Sequence, residues 1–599
     1  MSLFGSSVLR RYVLHAGLLW RAAPAASATC VALTMFIAAM RTAMLVASGR
    51  LIAALTSPVE AVLVWWWLAV TAALLLAGPL ASAGLSYCSR VVSAKYVVAV
   101  CDGIIELGTR SYGLAPVEDP DTATRSQALR RAPRDWLFLA GIERTWTLLG
   151  IRLSGAGAFV IVAAWSWWAA LVLLIAWQVY SRAFVRWSAT LFDDLLAVTG
   201  NERRRAPYLR SILTGAATAA EVRLFGLTDW IGDRHGRAWR SALDAVWRRR
   251  TSSVSASMVA VLAPAAANGL VFAALVHDAT NGALDAGALV TVAQAVLAMI
   301  AFGPQSDSQM GLARTLAGVA GITAQSEVIG PPVVSRRVRS QPLAVPVAAR
   351  IELRDVTFTY PRSAQPTLQG LQLQIPAGQS VALVGLNGAG KTTLIRLLCG
   401  LYVPSTGTVR VDGCDPATDP AARQRIAVIF QEFVRYPLTL RENVGLGEEV
   451  ELERALSDAG AESLLGRLRH GWDTVLSAEY DEGTDLSGGQ WQRVALARAL
   501  ARLSAGAGVL VLDEPTSALD VRAESALFDR FLTVARGVTT LLVSHRLSSV
   551  RHADRIVVLD QGQIVEDGSH DDLMSIDGRY ARLFRLQAAR FATTGESAR

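Results

Sequence analysis

Lysine is nearly missing from this chain: of 58 basic residues, all are arginine except Lys95 and Lys391. Cysteine is scarce as well. The five thiols (Cys30, Cys88, Cys101, Cys399 and Cys414) are odd in number and form neither a Cys-x-x-Cys pair nor a zinc-ligand spacing. This argues against a disulfide framework and a structural zinc, and leaves reduced, structural cysteines as the expectation. Charge is thin too, at 18% of residues against 52% apolar, with a mean hydropathy of +0.34. A chain of 599 residues is too long for one domain and too apolar for an ordinary soluble protein, so a lipid-embedded part is expected.

What charge there is falls unevenly. Up to about residue 330, long apolar runs alternate with arginine-rich stretches, and after about 345 the pattern is that of a soluble α/β domain. A helix needs roughly 20 residues to cross a hydrocarbon core of about 30 Å. Six runs approach that length, at about 23–46, 62–87, 148–164, 168–184, 254–276 and 288–302. Arg152 bears on the third, and Gly303-Pro304 closes the sixth.

Basic residues collect in segments 90–134 and 182–250, the latter including Arg203-Arg204-Arg205 and Arg248-Arg249-Arg250. The intervening loops Trp165-Ser166-Trp167 and 277–287 contain none. Because basic loops stay on the cytoplasmic side, both termini are expected there, and Trp65-Trp66-Trp67 with Trp165, Trp167 and Trp168 form a belt at the outer interface. Arg41, about 26 Å along a helix starting near Pro24, is expected to snorkel to the outer surface. Residues 1–22 read as a basic, amphipathic interfacial helix without a cleavage site, and no removable signal peptide is expected.

The two basic segments look helical, as if the spans continue into the cytoplasm. Asp119-Pro120-Asp121 and Glu221-Val222-Arg223-Leu224-Phe225-Gly226 are candidates for short transverse helices that dock on the soluble domain, or for plain surface loops. Residues 330–346 read as a proline-containing linker.

One of the two lysines closes the run Gly385-Leu386-Asn387-Gly388-Ala389-Gly390-Lys391-Thr392-Thr393. An ammonium is a compact point charge that fits inside a loop wrapped around a phosphate, whereas a planar guanidinium collides with it. The run matches the P-loop pattern, in which backbone N–H groups and a helix N-terminus hold phosphates. Residues 351–360 and 379–384 read as strands, the second feeding the loop and a following helix at 391–399, which is the context the pattern requires. Downstream, the apolar strand 509–512 ends in Asp513-Glu514. Asp513 is placed to hold Mg²⁺ through water and Glu514 to polarise an attacking water. In this order the residues point to nucleotide hydrolysis.

Leu486-Ser487-Gly488-Gly489-Gln490 opens an amphipathic helix, so its amides and Ser487 can face an anion. The whole set strongly resembles the ATP-binding cassette family, in which this signature meets phosphates bound by the opposite domain. In that family's terms Tyr360 resembles the aromatic residue that stacks on adenine, Gln431 the Q-loop contact to Mg²⁺ and the membrane domain, and Asp520 the D-loop aspartate. His545 resembles the switch histidine that senses the γ-phosphate. The resemblance implies ATP and Mg²⁺ as cofactors, with Thr392, Gln431 and Asp513 around the metal. Two departures stand out. Trp491 follows the signature where a basic residue is usual, and Tyr480-Asp481-Glu482-Gly483 replaces the usual Gly-Glu-x-Gly.

The implied fold is an all-α polytopic membrane domain of six helices with long intracellular extensions, followed by an α/β P-loop NTPase domain with a helical subdomain. The expected boundaries are 1–22, an interfacial helix; 23–325, membrane domain; 326–350, linker; 351–590, nucleotide-binding domain; and 591–599, a polar tail. One P-loop and one signature per chain imply a homodimer or a heterodimer with a related half-transporter. The expected activity is ATP-driven export of an apolar or amphipathic small molecule, lipid or peptide. An importer of a siderophore-like ligand and an ATP-gated channel share the same motifs. The charge of +8 lies largely in loops suited to anionic lipid headgroups, and no nucleic-acid partner is expected. The arginine bias points to a high-GC genome and a bacterial plasma membrane.

Overall fold

The computed structural model describes residues 2–56, 61–196, 201–329, 347–447, 450–514, 534–544 and 550–596. The linker expected at 330–346, Asp520 and His545 lie outside the described residues. The chain divides into two compact units: Met1–Gly108 with Ala123–Val328, and Thr109–Thr122 with Ile329–Arg599.

The first unit is helical. It starts with α1 (Ser2–Ala22), α2 (Pro24–Thr56) and α3 (Ala61–Thr109). The short α4 (Ala115–Glu118) belongs to the second unit, and the first continues with α5 (Pro120–Arg131), α6 (Trp136–Trp165), α7 (Trp167–Leu196), α8 (Asn201–Thr214), α9 (Ala216–Leu224), α10 (Thr228–Thr280), α11 (Ala286–Ala298) and α12 (Ser306–Ile329). Among the described residues six helices are long and apolar enough to cross a membrane: Pro24–Thr56, Ala61–Thr109, Trp136–Trp165, Trp167–Val185, Ala260–Thr280 and Ala286–Ile329. The six apolar runs are therefore all helical, and several helices reach well past them. At 49 and 53 residues, α3 and α10 extend about 74 and 80 Å at 1.5 Å per residue, more than twice a hydrocarbon core.

The first span ends ten residues beyond the expected boundary at Val46. Gly49 and Arg50 do not stop the helix, because Gly49 is where α11 crosses it. A Cβ on Gly49 would lie 2.7 Å from the Gly287 carbonyl oxygen, and one on Gly287 would lie 2.6 Å from that of Gly49. Small residues at such crossings let helix backbones approach closely where the hydrophobic effect cannot drive association. The third span starts earlier than expected, at Trp136, because Asp135 caps it by accepting from the Leu137 N–H. At the end of the last apolar run the chain makes a 3₁₀ turn (Met299–Phe302) and breaks at Gly303-Pro304 before α12.

Among the described residues, buried apolar side chains form two larger cores in this unit, beside a small cluster of Leu148, Leu312 and Leu316. One gathers Val162, Leu173, Val271, Leu275, Val296 and Met299. The other holds Leu19, Val92, Tyr96, Phe138, Ile142 and Trp146. Beside the second, His15 on α1 is buried between the Tyr96 hydroxyl (2.7 Å from Nδ1) and the Thr145 hydroxyl (3.1 Å from Nε2). Burial lowers its pKa to about 4, so the imidazole stays neutral. The second candidate transverse segment falls on α9, which ends at exposed Leu224 and is followed by exposed Phe225 and by Gly226 at φ +62.

The second unit carries two sheets. An antiparallel sheet has β1 (Ile351–Phe358) between β2 (Leu368–Ile375) and β4 (Thr406–Val411). A six-stranded sheet also uses β3 (Ser380–Val384), β5 (Ile426–Ile429), β6 (Val509–Asp513), β7 (Thr539–Val543), β8 (Arg555–Asp560) and β9 (Gln563–Gly568), in the order β5-β6-β7-β3-β8-β9. It is parallel except for β9. The central strands are buried along their length, as continuous apolar runs require. Ligands bind such sheets beyond the carboxyl ends of the strands, where β3 runs into α13 (Lys391–Leu398). A helical part packs around α15 (Leu440–Gly445), α16 (Leu452–Asp458) and α17 (Gly488–Ser504), with α14 (Pro420–Gln424) ahead of β5.

Candidate nucleotide site

The turn from β3 to α13 tolerates few side chains. A Cβ on Gly385 would meet the Leu559 carbonyl oxygen at 2.3 Å. Gly390 stands at φ +107, and a Cβ there would lie 2.7 Å from the Leu368 side chain. Gly388, at φ +83, faces open space, as a backbone that approaches a ligand must. Leu386 points outward and Ala389 packs into the core. Lys391 is the first residue of α13 and nearly buried, and its Nζ donates to the carbonyls of Gly385 (2.8 Å) and Leu386 (3.0 Å). Desolvation lowers its pKa, with Glu514 and Asp513 acting in the opposite sense.

Asp513 closes β6 and is 1% exposed. Burial, and then the charge of Glu514, push its carboxyl up to about 6, against Lys391, Arg396 and a hydrogen bond from Thr392. Its Oδ2 is buried without a hydrogen-bond partner. An orphan acceptor of this kind is costly unless a donor or cation completes it, so the donor set of Asp513 and Thr392 fits Mg²⁺.

Glu514 sits in the left-handed region at φ +50, anchored by its N–H to the Val543 carbonyl (2.9 Å). The Gln431 amide, just past β5, donates to the Glu514 carboxylate at 3.1 Å. Asn387, Gly388, Lys391, Thr392, Gln431, Asp513 and Glu514 line one cavity of about 550 Å³, a size suited to a small ligand. Thr393 also lines it and shares a hydrogen bond with the Tyr360 hydroxyl (3.0 Å). Thr367 belongs to the lining too, and Arg396 reaches the Tyr360 hydroxyl at 3.4 Å. Sequence reasoning passed over both, since neither stands in a recognisable run.

The signature is elsewhere. Ser487 caps α17 in a capping box with Gln490, Gly488 has open space around its Cα, and none of Leu486, Ser487, Gly488, Gly489 and Gln490 lines the cavity. Trp491 is buried, with its indole N–H on the Asp485 carboxylate at 3.2 Å. The tryptophan is thus a core anchor of the helical part, which a basic residue would not be. In the segment before the signature, Glu482 (φ +60) pairs with His470 (3.0 Å) and Arg469 (3.3 Å), while Asp481 is exposed.

The first candidate docking segment packs within the second unit. The Tyr112 hydroxyl donates to the Cys399 carbonyl (3.1 Å), the Leu114 N–H to the Leu401 carbonyl (2.9 Å) and Arg362 to the Asp119 carboxylate (2.9 Å). The Tyr402 hydroxyl donates to Glu118. Tyr402 also stands edge-on to Tyr360, with ring centres 5.4 Å apart. Of the expected Asp119-Pro120-Asp121, Asp119 carries the contact, while Pro120 and Asp121 open α5.

A family model described as "ABC transporter" matches residues 368–517. "ABC transporter B family member 1" of Arabidopsis thaliana is 37% identical over 335 residues, covering 54% of this chain but only 25% of that protein. "ATP-dependent lipid A-core flippase" of Escherichia coli (strain K12) is 29% identical over 552 residues, 88% of this chain and 89% of its own length. A solved "bacterial Atm1-family ABC exporter with ATP bound" superposes with a TM-score of 0.75 at 25% identity, covering 94% of this chain and 98% of its own. The chain therefore spans a quarter of the plant relative and nearly all of the bacterial ones. With six apolar helices and an ATPase domain that matches the ABC transporter family fused in one polypeptide, the chain is homologous over most of its length to ATP-binding cassette exporters.

Proposed function

We propose that this chain is one half of a dimeric, ATP-driven exporter of amphipathic cargo. The observation that carries the reading is that the phosphate-loop cavity, with Lys391, Asp513, Glu514 and Gln431 on its wall, lies in the same unit as Thr109–Thr122, the stretch of chain that joins α3 to α5. Hydrolysis in that unit thereby has a mechanical outlet. In this reading Lys391 and the loop amides hold the phosphates, Tyr360 supports the base, and Glu514 accepts a proton from the attacking water while Gln431 orients its carboxylate. Thr392 and Asp513, with Gln431 nearby, would hold Mg²⁺, which neutralises phosphate charge when bound.

Ser487 and its helix N-terminus lie off this cavity. The reading therefore places them against the phosphates of a second copy or a related half-transporter, together with Asp520 and His545. Closure of the paired cassettes selects one orientation of the helical half, and loss of the γ-phosphate releases it. The arginine distribution favours cytoplasmic termini in a bacterial plasma membrane. In purified full-length protein in nanodiscs, Glu514→Gln should bind ATP as tightly as the parent and hydrolyse it at least about a hundredfold more slowly, the scale of a lost general base. Near-parental turnover would remove Glu514 from this role.

A further inference from the structure

Counting from the cap Ser487, Trp491 is the fourth residue of α17, and Leu486 stands just before the cap. Both are buried in the core of the helical part, at 2% and 7% exposure. Apolar residues at these two places form a hydrophobic staple, which fixes the angle at which the chain enters a helix. An arginine at 491 would offer only its aliphatic stem to such a staple. The capping box of Ser487 and Gln490 ties the same turn through its polar groups.

Asp485 joins the two halves of the staple. One carboxylate oxygen, Oδ1, accepts from the Leu486 N–H (2.8 Å) and from the Trp491 indole N–H (3.2 Å). Ahead of it, the Thr484 N–H donates to the Val475 carbonyl (2.9 Å), so the chain is held on both sides of the cap. Two donors are left over. The Ser487 N–H goes to the Gln490 side chain (2.9 Å) and the Gln490 N–H to the Ser487 hydroxyl (3.4 Å). Among the described residues the N–H groups of Gly488 and Gly489 have no acceptor, and a Cβ on Gly488 would meet nothing within 4 Å.

Free amides at a helix N-terminus can hold a phosphate oxygen, but only over a limited range of directions, because hydrogen bonds weaken steeply with angle. We propose that Trp491 and Asp485 are positioning residues of the signature: the indole–carboxylate bond and the staple aim the Gly488 and Gly489 amides at phosphate held by a second chain before the cassettes close. Neither residue touches nucleotide. A turn already fixed in its bound direction loses little conformational freedom when it meets its ligand, so closure costs less. The tryptophan that departs from the usual basic residue thereby serves the site as well as the core.

This inference rests on the proposed placement of the signature against the phosphates of a second copy or a related half-transporter. It is tested in full-length protein in nanodiscs on the slow Glu514→Gln background, by energy transfer between labels on the paired cassettes as ATP is titrated. Trp491→Phe keeps an apolar ring for Leu486 but loses the N–H, and Asp485→Ala loses the acceptor. Each should raise the ATP concentration at half closure about tenfold, the scale of one charge-assisted bond. The double variant should shift it no further, because both changes break the same bond. Asp485→Asn still offers the indole an oxygen and should stay within about threefold of the parent. Affinity for a fluorescent ADP analogue should keep its parental value, since none of these residues lines the phosphate-loop cavity. A loss of folded protein lowers the amplitude of closure and leaves its midpoint in place, so the midpoint separates aiming from folding. Asp485 is exposed, and Asp485→Ala decides should Trp491→Phe fold poorly. An unshifted midpoint in Asp485→Ala, additive shifts in the double variant, or an equal loss of ADP affinity would overturn the positioning role. Ser487→Ala tests the placement beneath it. A shift there with none in Asp485→Ala refutes the positioning role alone, and no shift in either refutes the placement of the signature as well.

Discussion

Replacing Lys391 with arginine asks why a chain that has given up lysine almost everywhere keeps one here. The substitution preserves the positive charge facing Asp513 and Glu514, so it changes shape alone. The ammonium nitrogen occupies a slot bounded by two carbonyl oxygens at 2.8 and 3.0 Å, and the residue is 8% exposed. A guanidinium brings a planar fork of three nitrogens into a slot with room for one. Overpacking a close-fitted site costs about 1–3 kcal/mol, which is roughly a 5- to 150-fold loss in nucleotide affinity. Lys391→Met removes the charge as well and should lose more, since a bond to a charged group is worth about 1.5–3 kcal/mol. Titrating a fluorescent ATP analogue into full-length protein in nanodiscs, alongside kcat/KM for ATP, gives the ranking lysine, arginine, methionine. An arginine variant that binds and turns over like the parent while the methionine variant fails would refute the steric argument and leave charge as the sole requirement.

His15 sets a pH dependence in the helical unit. Burial moves its pKa from 6.5 to about 4, so its contribution is whole above pH 6.5 and drains away as the pH falls toward 4. The loss totals about 3 kcal/mol, because the unfolded chain takes up the proton first. His15→Gln keeps hydrogen-bonding groups for Tyr96 and Thr145 and should flatten this part of the unfolding midpoint against pH, whereas an unaltered slope would discharge the histidine. Tyr402→Phe takes the hydroxyl donor from Glu118 in the docked segment. It should cut cargo-stimulated ATP turnover at least about tenfold with ATP affinity near parental, in line with one part-buried bond to a charged group of about 1.5–3 kcal/mol. Unchanged stimulation would show that this contact carries no coupling.

Much of the molecule was legible because its signals are local. The phosphate loop is a contiguous run with a fixed geometry, and Gly385, Gly388 and Gly390 stand where side chains are excluded or open space is needed. The apolar runs marked all six long helices, since crossing hydrocarbon demands length and composition more than any particular neighbour. Helix ends were less legible. The chain continued through Gly49 because Gly287 packs on it, and it broke at Gly303-Pro304 where a proline lacks its N–H. Trp491 looked like an oddity of the signature and is a core residue, a distinction that only burial makes.

From the amino-acid order alone came the two-part architecture, the strand–loop–helix that holds a phosphate, and the Asp513-Glu514 pair at a strand end, all set by contacts within a few residues or by hydropathy summed over a helix. The folded chain alone decided which distant residues share a cavity. It put Gln431 on Glu514, left an oxygen of Asp513 without a partner, tied Glu118 to Tyr402, and set Arg41 in one cavity wall with Ser154 and Ala301. Which face of a helix meets a void depends on packing against elements a hundred or more residues away, and no local pattern encodes it.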